Sequence, residues 1–136
     1  MKKLFVSVPM KGRAEEVIKQ NIIKMHRIAE AYECEELELI DSWVDETPPT
    51  NCNIGAWYLG KSIEKLAMAD VFIGVRDTTS WPGCRLEAET AKAYNIKSYR
   101  VDNEIILDSY VMLENTITNL LANYNTNDDL RSAQTR

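Results

Sequence analysis

The segment Val71–Val75 constrains the fold of this chain more than any other feature of the sequence. Its five residues, VFIGV, contain no polar side chain and therefore do not alternate in polarity. A strand with one face in water alternates apolar and polar residues, whereas a strand that is covered on both faces is apolar throughout. The segment therefore predicts an inner strand of a sheet that has helices on both sides.

Other strand-like segments alternate with helical ones along the chain. Strands are predicted over residues 3–8, 37–43 and 97–101, and a short fifth strand is predicted over residues 104–107. Apolar residues at helical spacing predict helices over residues 13–32, 57–69, 83–95 and 111–124. Such alternation is typical of a parallel sheet with right-handed crossovers.

These elements predict a single-domain, three-layer α/β/α protein of the flavodoxin-like class. We expect a parallel sheet of four to five strands in the order 2-1-3-4-5. The length of 136 residues fits one domain. We assign residues 1–124 to this domain and residues 125–136 to a polar C-terminal tail.

Composition and charge exclude several classes of protein. The net charge is -5 and no basic cluster is present, whereas a protein that binds duplex nucleic acid needs several cations on one face. No apolar run approaches the roughly 20 residues that span a bilayer. Pro9 and Lys11 end the apolar N-terminal run too early for a signal peptide. We therefore expect a cytoplasmic protein that contacts neither a membrane nor duplex nucleic acid.

The cysteines and the histidine do not form a recognisable metal pattern. Cys34, Cys52 and Cys84 are odd in number and far apart, so they match neither a disulfide framework nor a zinc motif. We expect all three to be small buried thiols. His26 is the only histidine, which excludes a histidine-rich metal site, and we expect it to be a packing or solvated residue of a helix.

The expected topology also predicts where a ligand binds. In flavodoxin-like sheets the ligand lies beyond the carboxyl ends of the strands, at the switch point between strands one and three. This rule brings residues 8–13, 41–43 and 76–87 to one crevice, although they are far apart in sequence.

Two carboxylates are candidates for chemistry at this crevice. Glu87 falls in the opening turns of a helix, where the helix N-terminus would favour its charged form and where it can act as a nucleophile or base. The alternative is a solvated surface carboxylate, as we expect for Glu89. Asp77 follows strand three and can bind a ligand hydroxyl or exchange a proton. The alternative for Asp77 is a turn residue that bonds its own backbone.

The loop SVPMKGR, residues 7–13, is a candidate phosphate site. It offers backbone N–H groups at a helix start, a glycine and two cations, although it matches neither a P-loop nor a dinucleotide fingerprint. The alternative is a tight turn with solvated charges. Trp81, together with Trp43, Trp57 and Tyr58, offers rings on which a planar base can stack, and the alternative for each ring is packing at the rim of the core.

Four stretches of the sequence resemble the nucleoside 2-deoxyribosyltransferase superfamily, in particular its short bacterial and phage members. FVSVPMKG resembles the family's first strand and the Pro-Met loop that lies under the sugar. LIDSW resembles the end of the second strand, and WYLGKSIEKLAMAD with DVFIGV resembles the next helix and buried strand. The most specific stretch is GCRLEAETAKAY, which resembles the family pattern of a glycine, three residues, a glutamate and then alanines.

The resemblance implies cleavage of the N-glycosidic bond of a nucleoside or nucleoside 5′-monophosphate through a glutamate nucleophile. Glu87 falls on the position of that glutamate, and Asp77 lies near the family's assisting aspartate. The residues expected around the substrate are Ser7, Pro9, Met10, Lys11, Gly12, Arg13, Asp41, Ser42, Trp81 and Gly83. The resemblance implies a small-molecule ligand, no metal, no organic cofactor and a homo-oligomer.

Two features differ from the family pattern. Glu89 stands where many family members have a glycine, and the loop DTTSWPG replaces an aspartate-glycine pair. Transfer to a second base and hydrolysis by water therefore both stay open. So do two functions of other classes, a nucleotide-binding or sequestering protein without chemistry, and an interaction protein whose fold has lost the site.

Overall fold

Four parallel strands form the centre of the computed structural model, which describes residues 1–106. The elements in chain order are β1 (Lys3–Ser7), α1 (Glu15–Glu33), β2 (Glu38–Leu39), α2 (Ile54–Leu66), β3 (Val71–Val75), α3 (Pro82–Ala93) and β4 (Lys97–Val101), followed by a 3₁₀ turn (Asn103–Ile105). The strand order is β2-β1-β3-β4, and the neighbouring strands pair in parallel. This order confirms the predicted α/β class and flavodoxin-like arrangement.

Strand β3 lies between two apolar layers, as its sequence predicts, and all of its residues are buried. Leu4 and Ile73 belong to the layer that packs under α1. Phe5 and Phe72 belong to the layer under α2 and α3, and their rings stack with centroids 6.0 Å apart. Because side chains alternate along a strand, Ser7 lies on the same face as Phe5, toward α3.

The second and third helices begin earlier than their apolar spacing predicts. Asn53 caps α2, because its Oδ1 accepts a hydrogen bond from the Ala56 N–H at 3.0 Å, so the helix begins at Ile54 rather than at Trp57. Pro82 is the first residue of α3, a position where a missing backbone N–H costs no helical hydrogen bond.

The second strand is shorter than predicted. It was expected over residues 37–43, but β2 is only Glu38–Leu39. Beyond it the Asp41 carboxylate accepts a hydrogen bond from the Trp43 N–H at 3.0 Å, which is a local turn. Lys65 of α2 then donates to the carbonyl oxygens of Asp41 and Trp43. These contacts replace the hydrogen bonds that a longer strand would make.

The predicted fifth strand over residues 104–107 is wrong for residues 104–106. The Ile105 N–H donates to the Asp102 carbonyl at 3.0 Å and the Ile106 N–H donates to the Asn103 carbonyl at 3.2 Å. Both bonds span three residues and close a 3₁₀ turn. The helix predicted over residues 111–124 and the tail over 125–136 lie outside the described residues.

The cysteines differ from the expectation that all three are buried. Cys84 is buried, whereas Cys34 is exposed and Cys52 is partly exposed, and all three are free thiols. Cys34 ends α1 in the left-handed region, with φ 56°, and its place at a helix terminus accounts for its exposure. No helix within residues 1–106 has the length and apolarity that a membrane crossing requires.

Two side chains of α1 bind the backbone just before β2. His26 Nε2 donates to the Leu37 carbonyl oxygen at 2.8 Å. The Leu37 N–H donates to Glu30 Oε2, also at 2.8 Å. His26 is partly buried and carries a packing and hydrogen-bonding role, which agrees with the expectation for it.

A carboxylate at the end of α1 binds β4, the last of the described strands. Lys97 Nζ and Tyr99 Oη donate to Glu33 Oε2 at 2.6 and 2.9 Å. The Glu33 side chain is only 4% exposed, and Lys2 Nζ lies 3.8 Å from its other oxygen. The first helix and the last described strand are therefore joined by a charge cluster in which the carboxylate is shielded and the lysines are about half exposed.

Candidate functional site

A buried hydrogen bond joins Ser7 and Glu87, which are 80 residues apart in sequence. Ser7 is the last residue of β1 and faces α3, and its Oγ donates to Glu87 Oε1 at 2.7 Å. The contact lies at the carboxyl end of β1, beside β3, which is the switch point of the sheet. The structure thus brings together two of the residues that the sequence analysis singled out.

Glu87 has a raised pKa, contrary to the expectation that a helix N-terminus would favour its charge. It is the sixth residue of α3 and is only 9% exposed. The effect of a helix end fades within the first turn, so burial dominates and raises the pKa of this carboxyl. Hydrogen bonds from the Ser7 and Ser62 hydroxyls act in the opposite direction and lower its pKa in part.

Cys84 belongs to the same buried cluster. It lies one helical turn before Glu87 and contacts the Ser7 hydroxyl. Burial raises the pKa of its thiol to about 11, and the nearby Glu87 charge adds to the increase. A thiol with that pKa is protonated at neutral pH and is a poor nucleophile. Cys84 therefore packs against the Glu87 carboxyl and is not a second candidate nucleophile.

Arg13 and Trp81 meet above the carboxyl ends of β1 and β3. The Arg13 guanidinium carbon lies 5.2 Å from the centre of the Trp81 ring, within the range of a cation–π contact. A turn positions Arg13, since its N–H donates to the Met10 carbonyl at 3.1 Å and Gly12 between them has φ 76°. Lys11 in the same turn is exposed.

The remaining residues of these loops differ in exposure. Pro9 is buried and Met10 packs against the apolar layer under α1. Gly12 and Gly83 are both exposed, and a Cβ at either would meet no atom within 4 Å. The structure therefore gives Pro9 and Met10 a packing role and leaves Gly12, Gly83 and Lys11 open to a ligand.

Asp77 adopts the turn that the sequence analysis gave as the alternative to a catalytic role. Its Oδ1 accepts the Thr79 N–H at 3.0 Å. Hydrogen bonds from Thr79 hold the pKa of this exposed carboxyl below its usual value, so Asp77 is ionised at neutral pH. The Asp77 N–H donates to Asn103 Oδ1 at 2.9 Å, and the Asp77 carbonyl accepts from Asn103 Nδ2 at 2.8 Å.

Asp41 and Ser42 line a cleft that does not include Glu87. With Trp43 they border an apolar cleft of about 220 Å³ against α1, whose other lining residues are Lys19, Ile22, Ile23, Leu39 and Ile40. Helix α1 covers the face of the sheet opposite to the Ser7–Glu87 contact. The structure therefore does not join Asp41 and Ser42 to the buried carboxyl.

The other aromatic residues considered for stacking pair with each other or with lysine. The Trp57 and Tyr58 rings meet edge to face with centroids 5.1 Å apart. Lys61 Nζ lies 5.5 Å from the Trp57 ring centre. Within the described chain, Trp81 is thus the aromatic residue that stands at the switch point with a cation. Its partly buried ring also packs against the apolar layer under α1, which is the packing role given above as its alternative.

Sequence reasoning missed four residues around the site. Cys84 could have been found, because a residue three positions before Glu87 lies on the same helix face. Ser62, Arg100 and Asn103 gave no signal, because each reaches the site through a tertiary contact. Arg100 Nε, for example, donates to the Val75 carbonyl at the end of β3, at 2.8 Å.

The geometry offers a shielded carboxyl that accepts hydrogen bonds from two hydroxyls and, in the loops after β1 and β3, an arginine on an aromatic ring. Such a set can form a covalent bond to an electrophilic carbon or exchange a proton. Among residues 1–106, no group of three or more histidine, cysteine, aspartate and glutamate side chains has an arrangement suited to a metal ion. Comparison of the chain with protein-family models, curated proteins and solved structures gave no match.

Proposed function

We propose that this protein cleaves the N-glycosidic bond of a nucleoside or nucleoside 5′-monophosphate, with Glu87 as the nucleophile. The observation that supports this most directly is the Ser7–Glu87 hydrogen bond of 2.7 Å at the switch point of the sheet. It holds a shielded carboxyl where ligands of this fold class bind. The resemblance of GCRLEAETAKAY to the deoxyribosyltransferase motif supplies the reaction.

The reaction proceeds in two displacements. A carboxylate oxygen of Glu87 bonds to the anomeric carbon while the bond from that carbon to the base nitrogen breaks, and the base leaves with the electron pair. A second base or a water molecule then bonds to the anomeric carbon as the bond to Glu87 breaks, which restores the carboxylate as in a retaining glycosidase. The proton that this nucleophile gives up balances the proton that the departed base takes up. The Ser7 hydroxyl keeps the carboxyl in one orientation throughout.

Burial of Glu87 gives this reaction a pH dependence. Only the ionised carboxylate can attack carbon, and burial raises the pKa of Glu87 above its ordinary value. The rate of base release should therefore increase with pH along its acid limb, with a midpoint above that of an exposed glutamate.

Arg13 and Trp81 are proposed to bind the rest of the ligand. The Trp81 ring offers a stacking face for a base, and Arg13, with exposed Lys11, offers charge to a 5′-phosphate. Asp77 stays a predicted contributor with a smaller effect, because its carboxylate is already bonded to Thr79.

Replacement of Glu87 by glutamine tests the nucleophile assignment. We expect Glu87→Gln to lower base release by on the order of 10³-fold or more, as loss of a covalent nucleophile does, and Asp77→Asn to lower it less. Base release from a panel of nucleosides and their 5′-monophosphates would be followed by chromatography. Glu36→Gln is the control, since Glu36 is an exposed glutamate before β2, at the end of the sheet opposite to Glu87. Base release that persists in Glu87→Gln would reject the assignment.

A non-catalytic nucleotide-binding protein is the second candidate. It is favoured by the low exposure of Glu87, which is 9% accessible and already hydrogen-bonded to Ser7. Thermal stabilisation by a nucleotide without release of free base would support this candidate, because a ligand that binds only the folded state raises stability by mass action.

The setting of the protein also forms part of the proposal. A cytoplasmic location is supported by the three free thiols, since thiols stay reduced in that compartment. Self-association is proposed from the family resemblance, and light scattering of the purified protein measures it directly.

A further inference from the structure

The carboxamide of Asn103 binds both backbone polar groups of Asp77. Its Oδ1 accepts the Asp77 N–H at 2.9 Å and its Nδ2 donates to the Asp77 carbonyl at 2.8 Å. The Asn103 side chain thus satisfies the backbone N–H and C=O of Asp77, as a neighbouring strand would do for a residue in a sheet. It does so from the 3₁₀ turn after β4, 26 residues further along the chain.

Hydrogen bonds connect the 3₁₀ turn that carries Asn103, and the strand before it, to other elements of the fold. Lys24 of α1 donates from Nζ to the Ile105 carbonyl at 3.2 Å. The Arg76 N–H donates to the Val101 carbonyl at 2.9 Å, so the loop also continues the pairing of β3 with β4. Through these contacts Asn103 links the position of Asp77 to α1 and to the paired strands β3 and β4.

From Asp77 the contacts continue to Trp81. The Asp77 carboxylate accepts the Thr79 N–H at 3.0 Å, and the Trp81 N–H donates to the Thr78 carbonyl at 2.9 Å. Trp81 precedes the first residue of α3 and carries the Arg13 guanidinium on its ring. The loop from Asp77 to Trp81 thus has a continuous set of hydrogen bonds that begins at Asn103.

We propose that Asn103 is a positioning residue for ligand binding, which acts through the Asp77 backbone to hold Trp81 and Arg13 in place for the substrate's base and phosphate. The proposal rests on the proposed function. It assigns Asn103 no contact with the reacting atoms, because Glu87 is oriented separately by Ser7. Asn103 therefore affects KM, whereas kcat depends on Glu87.

Asn103→Ala tests the proposal by separating KM from kcat. We expect KM for the most reactive 2′-deoxynucleoside 5′-monophosphate to rise about tenfold, since a small displacement of a positioning group weakens binding, and kcat to stay within about twofold. Asn103→Asp keeps the acceptor for the Asp77 N–H but sets a carboxylate oxygen against the Asp77 carbonyl oxygen, where the amide donated at 2.8 Å. It should therefore raise KM at least as much as Asn103→Ala. Asp102→Asn is the control, because it removes the neighbouring Arg76–Asp102 ion pair of 3.2 Å and leaves the Asn103 contacts in place.

Hydrogen–deuterium exchange of the ligand-free variants gives a readout that does not depend on activity. The Asp77 and Thr79 amides should exchange faster in Asn103→Ala than in the wild type and in Asp102→Asn. Unchanged exchange, or an unchanged KM with a lower kcat, would overturn the positioning role. If the wild type instead neither releases base nor is stabilised by any nucleotide of the panel, the proposed function itself fails, and this proposal fails with it.

Discussion

At the scale of single residues, Gly74 controls how closely the site strands and the apolar layer approach each other. It pairs with Ser7 across β1 and β3. A Cβ at this position would lie 3.0 Å from two carbons of the Phe72 ring and 3.5 Å from Ser7 Cβ. Glycine inside a strand often marks such a close approach. The absence of a side chain at Gly74 therefore protects the position of the Ser7 hydroxyl.

Gly74→Ala should destabilise the protein by about 1–3 kcal/mol, because the added methyl group overpacks a filled core. It should also slow base release, since relief of the clash shifts Phe72 or Ser7. Urea unfolding measures the loss of stability, and chromatography of the free base measures the rate of base release. Gly60→Ala is the control, as a Cβ there meets no atom within 4 Å and alanine in a helix is about 0.5–1 kcal/mol more favourable than glycine. Equal stability changes in the two variants would contradict the close-packing argument.

The two candidate carboxylates show what the sequence can predict about single residues. Glu87 could be selected from its helix position and motif, but neither its burial nor its contact with Ser7 could, because 80 residues separate the two. The raised pKa of Glu87 follows from that burial, so it could not be predicted from the sequence either. For Asp77 the turn chemistry was foreseeable, because aspartate commonly bonds a backbone N–H two residues on, as it does here with Thr79.

At the scale of elements, the start of α2 depends on one capping side chain. Asn53→Ala removes the acceptor for the Ala56 N–H, and we expect it to lower the free energy of unfolding by about 1 kcal/mol. Asn53→Asp keeps an acceptor and should retain most of the wild-type stability. Denaturant unfolding of the three proteins checks this. A wild-type midpoint for Asn53→Ala would show that packing alone fixes the start of α2.

Element boundaries were predictable where apolar runs define them and were missed where turns define them. Strands β3 and β4 occupy the predicted residues, because each is bounded by a helix end and a polar loop. Strand β2 was overextended, since the hydrogen bond from the Trp43 N–H to the Asp41 carboxylate is not visible in an apolar pattern. The 3₁₀ turn at Asn103–Ile105 was mistaken for a strand because three residues carry no periodicity.

At the scale of the whole molecule, the charge cluster at Glu33 joins the first helix to β4, the last described strand. Hydrogen bonds from Lys97 and Tyr99 hold the pKa of Glu33 below its ordinary value. A lowered folded-state pKa stabilises the protein above the unfolded-state pKa, and the stabilisation is lost as pH falls through the folded-state value. The melting temperature of Glu33→Gln should therefore lie below that of the wild type above about pH 5, with the difference shrinking in more acidic solution.

Glu35→Gln is the matched control for this pH series. Glu35 also faces Lys2 at 3.8 Å, but its side chain is 44% exposed, and an exposed ion pair contributes little to stability. A difference between the wild type and Glu33→Gln that stays constant from pH 7 to strongly acidic solution would contradict the charge argument.

The flavodoxin-like order itself was predictable from the sequence, because one fully apolar segment and the alternation of elements leave few topologies. The crevice was predictable only in part. The topological rule correctly brought β1 and β3 loops together at Arg13 and Trp81. It did not foresee that the segment after β2 contacts both neighbouring helices. Asp41 and Ser42 border a cleft against α1, while Lys65 of α2 binds the Asp41 carbonyl.

The two α1 side chains that bind Leu37 have a consequence for how copies of this protein behave in a crowded solution. An open sheet edge presents unpaired N–H and C=O groups that can recruit strands from other molecules and start aggregation. Here His26 and Glu30 already occupy both groups of the residue before β2, and β2 itself has only two residues. This edge therefore offers little backbone on which a foreign strand could grow.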